Sequence, residues 1–451
     1  MPAPGSPLEE RADRLTWPPV SQLAYGLDAR LPGPSGAVYA LQWFVFGLLS
    51  IVVVPLVAGP ALQMSPAQVG VFVSRSLLAS GLACLFQLYF GHRLPNLEAP
   101  AGLWLGIILT LAAVAPALGL ARAALPPALE LAFLASGATL VVLSGLGVLR
   151  WVRRRLTPMV TGTVILLLVA QLSGPLFRGI LERGSALSWK GAVEGFFTVA
   201  LIVGVALAGR GFLRTVSLLA GFAGGTVVAF GLGDVGRAGS APLWGWPAPL
   251  PWGVPLFNGG VLVTALFATL ILLANLAATL VALGGILEQP VLEERFSGAV
   301  LGAGVGGILS GLLGGIGTVP YTSSPGVISL TGVAARRPFL WASIGLVAAG
   351  LLPVVGHLFA EIPTAVTDGV ALAAFTQMIA AGLRDYARVQ IGNAEGTIIG
   401  LAFLAGLGVM FVPTGLWAGL PPVAGFLASN GLVVGTVVCV AGEGVIRALP
   451  R

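Results

Sequence analysis

The chain has 451 residues, of which 57% are hydrophobic and only 9% charged, with a formal net charge of +6. A soluble domain carries about a quarter charged residues, so lipid rather than water has to cover most of this surface. The Lys and Arg are scattered through short connections, which excludes a basic nucleic-acid groove and leaves them to set orientation in a membrane.

The first stretch, 1–36, is polar and Pro-rich and reads as a cytoplasmic tail without a cleavable signal. Apolar runs long enough to cross the hydrocarbon core follow at 37–58, 67–90, 126–149, 158–177, 191–209 and 212–231. A second set runs at 256–284, 297–315, 338–360, 363–382, 395–412 and 421–446. Two further apolar segments, 94–118 and 317–334, begin with Pro-broken stretches. The fold class is therefore an all-α polytopic membrane protein of about fourteen crossings. Its expected divisions are the tail 1–36, a first seven-segment repeat 37–235, an extracellular loop 236–255, a second repeat 256–447 and a cytoplasmic tail 448–451. Arg93, Arg150, Arg153–Arg155, Arg210, Arg214, Arg295, Arg336, Arg337, Arg384, Arg388, Arg447 and Arg451 then fall inside. Only Arg122, Arg178, Arg183, Lys190 and Arg237 fall outside. That bias places both termini in the cytoplasm and the chain in the inner (plasma) membrane.

The two broken stretches form a weak repeat. Pro95 to Gly102 and Pro320 to Gly326 each hold two prolines five apart, small or polar residues between them, and a Gly within two residues; they lie 225 positions apart. Each comes third in a half of seven crossings, and an odd number of crossings inverts one half relative to the other. Matched interruptions in inverted repeats are the best sequence pointer to a transporter site. Proline removes a backbone donor and disfavours helix in the preceding residue. Such irregular backbone is tolerated only against protein or a watery cavity. Helices resume near Gly102 and Gly326, so two helix starts with free N–H groups are expected to face the cavity.

Polar groups at membrane depth are then candidates. Glu98 sits in the first break, and Arg75, inside the preceding helix, is its candidate structural partner. Gln42, Asn275, Thr279, Thr322, Ser323 and Ser324 add neutral donors and acceptors. Trp43, Trp104 and Tyr321 offer rings for stacking, whereas Trp244, Trp246 and Trp252 read as an interfacial belt. His92, beside Arg93, reads as an inside-loop residue, and His357 lies near a helix end. Neither belongs to a triad or a metal site, and there is no Walker loop, so no enzyme activity and no cofactor is expected. Cys84 and Cys439 read as small buried hydrophobes. The Gly-rich run Gly302–Gly307 reads as close helix packing.

At these residues the sequence resembles the nucleobase–ascorbate transporter family, the xanthine/uracil permeases. Leu41-Gln42-Trp43 is similar to the Leu-Gln-His of that family's first helix. Gly91-His92-Arg93-Leu94-Pro95 is similar to its approach to the third segment, and Tyr321 to Thr331 to its signature in the tenth. Leu-Gln-Trp-Phe together with Glu98 to Trp104 most resembles a bacterial branch of purine/pyrimidine permeases. The resemblance implies two inverted repeats of seven, with extended stretches in segments 3 and 10. It also implies a core domain from crossings 1–4 and 8–11 that moves against a gate domain. The implied partners are a nucleobase, a coupling proton or sodium ion and the bilayer, with room for a homodimer and no nucleic acid.

Four positions depart from the family pattern. Trp43 stands for the first-helix His, Asn275 for the eighth-helix carboxylate, Ser323-Ser324 for the tenth-segment acid–Asn pair, and Gly102 or the displaced Trp104 for the third-segment aromatic. The expected site therefore has Gln42, Asn275, Ser323 and Ser324 on the ring edges, with Thr279 and Thr322 nearby. Backbone near Ala101, Gly102 and Gly326 assists, and Trp43, Trp104 or Tyr321 stacks. Glu98 is the coupling candidate. The alternative ligand for the same fold is a small anion, sulfate- or bicarbonate-like, held by the helix starts.

Overall fold

Inside a bilayer every backbone polar group needs a partner within the protein, so the apolar runs become helices and the Pro-broken stretches must pair with each other. The computed structural model describes residues 23–115, 120–146, 157–183, 186–209, 217–234, 241–287 and 293–448. The first half contains α1 (Gly33–Ala61), α2 (Pro66–Tyr89), β1 (Glu98–Pro100), α3 (Gly102–Val114), α4 (Leu125–Ser144), α5 (Pro158–Leu181), α6 (Trp189–Ala208) and α7 (Ser217–Gly231). The second contains α8 (Gly259–Ile286), α9 (Glu293–Leu313), β2 (Thr318–Pro320), α10 (Ser324–Thr331), α11 (Arg336–Gly350), α12 (Pro353–Ala360), α13 (Thr364–Tyr386), α14 (Asn393–Phe411), α15 (Pro422–Ser429) and α16 (Gly431–Ala448). Among the described residues nine helices are long and apolar enough to cross a membrane, or ten if α11 and α12 count as one bent span. Shorter helices and the two strand-led segments complete a polytopic all-α architecture. The expected N-terminal stretch 1–22, Arg150, Arg153–Arg155, Arg210, Arg214, Arg237 and residues 449–451 lie outside the described residues.

Packing divides the helices into two bodies. In the core, α4 packs on α9 and α8, and α11 packs on α2 and α1. In the gate, α5 packs on α13 and α16, α6 on α7 and α13, and α14 on α16. Exchanging each first-half helix for its second-half counterpart turns α2–α11 into α9–α4, α1–α11 into α8–α4, and α6–α7 into α14–α16. The contact pattern is therefore that of two inverted repeats. The core pairs approach through glycine. A Cβ on Gly137 of α4 would stand 2.6 Å from the Gly304 carbonyl oxygen of α9, and one on Gly81 of α2 would stand 2.8 Å from Val347 of α11. This is the small-residue contact that lets membrane helices touch backbone to backbone.

Two expected crossings are broken. The run 338–360 splits into α11 and α12, bent by 80°, because Pro353 has no N–H to continue the helix and keeps Leu352 out of helical geometry. The run 421–446 breaks at Asn430, whose side chain accepts from the Leu432 and Val433 N–H groups at 3.1 and 3.3 Å and so starts α16.

Part of the expected tail is ordered against the core. Tyr25 bridges Val333 just past α10, its N–H donating to the Gly332 carbonyl at 3.1 Å, and Asp28 pairs with Arg336 at 2.6 Å. The start of α1 and the end of α10 therefore share one face of the molecule.

Candidate functional site

β1 and β2 pair antiparallel, with Glu98 opposite Pro320, Ala99 opposite Val319 and Pro100 opposite Thr318. The ladder is lengthened by Ala101 N–H to the Gly317 carbonyl at 3.3 Å and by Tyr321 N–H to the Leu97 carbonyl at 2.8 Å. This register maps the strands onto each other with an offset of 220 (98 to 318, 100 to 320). The proline spacing suggested 225, so the breaks are in the expected places but their alignment is five residues off. The structural twins are Pro100 and Pro320, while Pro325 belongs to the first turn of α10.

The helix starts after the strands differ. Neither has a side-chain cap. At α3 the Gly102 and Leu103 N–H groups find no acceptor among the described residues, as the first turn's bonds begin with Trp104 N–H to the Ala101 carbonyl. At α10 the Ser324 N–H is taken by the Tyr321 carbonyl, Pro325 has none, and the Gly326 N–H is taken by Ser323. So α10 and the turn before it offer hydroxyls: Thr322, Ser323 and Ser329 are exposed, and so is Gly326.

The gate closes on α3. A Cβ on Gly102 would stand 3.3 Å from Phe375 and 3.4 Å from Met378, both on α13. Neither residue carries a sequence signal of its own, since each is one apolar residue of a long, mostly apolar helix; only the fold brings them to the break. On α8, Asn275 Nδ2 and Thr279 Oγ1 both reach the Pro320 carbonyl at 3.5 Å, and Thr279 also donates to the Asn275 carbonyl at 2.9 Å. Gln42 of α1 is buried and its amide makes no hydrogen bond among the described residues. It lies one turn from Phe46, whose ring is 5.8 Å from that of Tyr321. Ala101, Gly102, Gln42, Asn275, Thr279 and Tyr321 to Ser323 thus gather around the two strand ends.

Other candidates are placed elsewhere. Trp104, 1% exposed, packs edge-on against Phe133 of α4 at 4.9 Å. Trp43 packs edge-on against Phe339 of α11 at 5.2 Å. Both rings are buried in core packing. Ser324 is fully buried, and its hydroxyl accepts from the Leu97 N–H at 3.1 Å, which ties β1 to the start of α10. Arg75 does not pair with Glu98. It donates to the Ala248 and Leu313 carbonyls at 3.2 and 3.0 Å, and the carboxylate acting on it is Glu130. The partner of Glu98 is His92, at 3.4 Å, and both are fully buried. His92 is thus no surface-loop residue: the chain folds back at Gly91 and carries the imidazole under the strand. Trp252 is also not part of a belt. It inserts against Phe72 with rings 5.8 Å apart, its backbone N–H donating to Glu130 at 3.1 Å and its indole N–H to the Gly314 carbonyl at 3.3 Å, whereas Trp244 and Trp246 remain exposed. Among the described residues no group of His, Cys, Asp and Glu could hold a metal ion.

The xanthine/uracil permease model, described as "Permease family", matches residues 35–415. The chain is 31% identical over 418 residues to the Bacillus subtilis (strain 168) protein named "Putative purine permease YwdJ", covering 90% of this chain and 94% of that one. It is 27% identical to "Uric acid permease PucK" of the same organism, covering 89% of this chain and 95% of the relative. Among solved structures it is similar to the transmembrane domain of a cyanobacterium bicarbonate transporter, BicA. The TM-score is 0.61 at 16% identity, covering 89% of this chain and 97% of that one, a likeness of fold alone.

Proposed function

The chain belongs to the xanthine/uracil permease family and is a multi-pass membrane transporter rather than an enzyme, and on that premise we propose that it carries purine bases by alternating access, coupled to a cation. The observation that carries the substrate class is the make-up of the crevice at the strand ends. Neutral amides and hydroxyls (Gln42, Asn275, Thr322 and Ser323) lie on the elements around the strand ends, and the apolar Phe375 and Met378 lie over Gly102. A planar heterocycle with donors and acceptors on its rim and an apolar face fits that lining. The names of the relatives, purine and uric acid permeases, point the same way.

In this reading Asn275, Gln42 and Ser323 bond the ring edge, with Thr279 and Thr322 beside them. The bare N–H groups at Gly102 and Leu103 receive a carbonyl oxygen of the base, next to Ala101, and Tyr321 borders its face. The gate segment 365–371 of α13 is buried throughout, whereas the hydroxyls of Thr322, Ser323 and Ser329 are exposed, and the end of α10 lies on the face that carries the start of α1. With both termini cytoplasmic and the chain in the inner membrane, this is an inward-open arrangement. Residues 1–36 and 448–451 then lie inside, 236–255 outside, and the repeats occupy 37–235 and 256–447. A homodimer through the gate is compatible with this arrangement.

Thermal-shift measurements on the purified chain test the reading, with uric acid, xanthine, hypoxanthine and uracil set against sulfate and bicarbonate. A purine is expected to raise the melting temperature while the anions leave it unchanged. Stabilisation by bicarbonate or sulfate and by no base would overturn the assignment.

A further inference from the structure

Glu98 is the acid in the strand that shapes the site, yet its side chain is turned away from the crevice. Its backbone N–H meets the Cys84 sulfur at 3.1 Å, and its carboxyl lies against His92, on the side of β1 that faces α2. The hydrogen bonds fix how the pair is protonated. The Leu94 N–H donates to His92 Nδ1 at 3.0 Å, so that nitrogen is an acceptor and the ring proton resides on Nε2. Nε2–H then donates to Glu98 Oε1. The other oxygen, Oε2, is buried and has no hydrogen-bond partner.

We propose that His92 and Glu98 form a proton-binding pair on the hidden side of β1, and that its proton is the one coupled to nucleobase binding at Gly102. A buried carboxylate is stable only when paired and fully hydrogen-bonded. The neutral imidazole at 3.4 Å and the Gln87 amide are the donors at the carboxyl, and Oε2 has no hydrogen-bond partner, so the pair carries an extra proton, held on Oε2. The groups facing it are few. From α2 come Cys84 and Gln87, whose amide is held by the Ala299 carbonyl at 2.9 Å and the His92 N–H at 3.2 Å. From α9 the charged group facing His92 is Arg295. From β2 the residue opposite Glu98 is Pro320, and from α11 only the Ser343 hydroxyl reaches Cys84. Arg93, next to His92, is exposed on the face where α1 begins, which gives the proton its nearest route to water.

Coupling follows from the backbone. Glu98 is four residues before Gly102, and its strand partner Pro320 bears the carbonyl that Asn275 and Thr279 reach. Removing the proton leaves an unsolvated charge beneath β1 and displaces the strand, and with it both walls of the site. Protonated Glu98 and bound base therefore favour one another, and the effect is reciprocal. This rests on the nucleobase reading above for the ligand but not for the proton.

Two measurements on the full chain separate those parts. Infrared titration without ligand is expected to show a protonated carboxyl band at pH 7 that is missing in Glu98→Gln. A spectrum identical in wild type and variant overturns the proton site, whatever the substrate. Xanthine affinity is expected to weaken about tenfold per pH unit above the midpoint of that band, as one linked proton requires, and to be flat in Glu98→Gln. A retained slope overturns the coupling. If Glu98→Gln does not fold, His92→Gln is expected to move the band's midpoint by about one pH unit or more, which is the size of a typical neighbour effect. An unmoved midpoint there overturns the pairing.

Discussion

The two broken segments are related by the repeat, yet they end as opposites. The β1–α3 break is apolar and closed: Ala99 and Ala101 are buried, and Gly102 lies under Phe375 and Met378 of the gate. The β2–α10 break is polar and open, with Thr322 and Ser323 exposed in the turn before α10 and Ser329 exposed on it. Their donors differ as well. The α3 start keeps bare backbone N–H groups, whereas Pro325 and local turns use up those of α10. The two breaks therefore make a backbone half and a side-chain half. On the proposed reading, the side-chain half together with α8 is where ring-edge recognition would be tuned by substitution.

Four variants can break or sharpen that comparison. Trp104→Ala should have the largest effect, about 3–5 kcal/mol of stability, because it empties a fully packed space against Phe133. Thermal unfolding in detergent measures it. If the melting temperature holds and only base affinity falls, Trp104 belongs to the crevice and the closed half has been misread. Ser324→Ala should cost about 1–3 kcal/mol of stability, since the buried Leu97 N–H loses its acceptor. A change confined to affinity would instead put Ser324 on the ligand.

Asn275→Ala should reverse that pattern. Binding of xanthine is expected to weaken by about 1–2 kcal/mol, the worth of a lost hydrogen bond at a desolvated site, with unfolding little changed because its only side-chain bond among the described residues is a long one at 3.5 Å. Unaltered binding with lowered stability would make it a strut for β2. Ser323→Ala should be mildest, about 0.5–1.5 kcal/mol in affinity and nothing measurable in stability, as its side chain is exposed and caps nothing. Equal losses from Ser323→Ala and Gly102→Ala would erase the distinction between the two halves.

Much of this was readable in the residues. Apolar run length located the helices, and paired prolines located the strands, because both signals are local consequences of backbone hydrogen bonding. Side-chain direction was not local in this way. Glu98, Trp104 and Ser324 all belong to the marked segments, yet all three point into the core. A three-residue strand and the first turn of a helix present every direction within a few positions, so spacing alone does not separate crevice from core. The Arg75–Glu98 pairing failed for a related reason: the nearest acid to Arg75 is on α4, some fifty residues farther along the chain.

By itself the sequence determined that this protein lives in lipid, that its chain is doubled, and that proline interrupts its third and tenth segments, where we place the polar site. Composition and local backbone chemistry suffice for those statements. Only the tertiary structure decided the strand register, the apposition of Phe375 and Met378 to Gly102, and the partnership of His92 with Glu98. Each depends on contacts between elements distant in the chain or on a loop turning back on itself, and such contacts are set by the packing of whole helices rather than by any run of neighbouring residues.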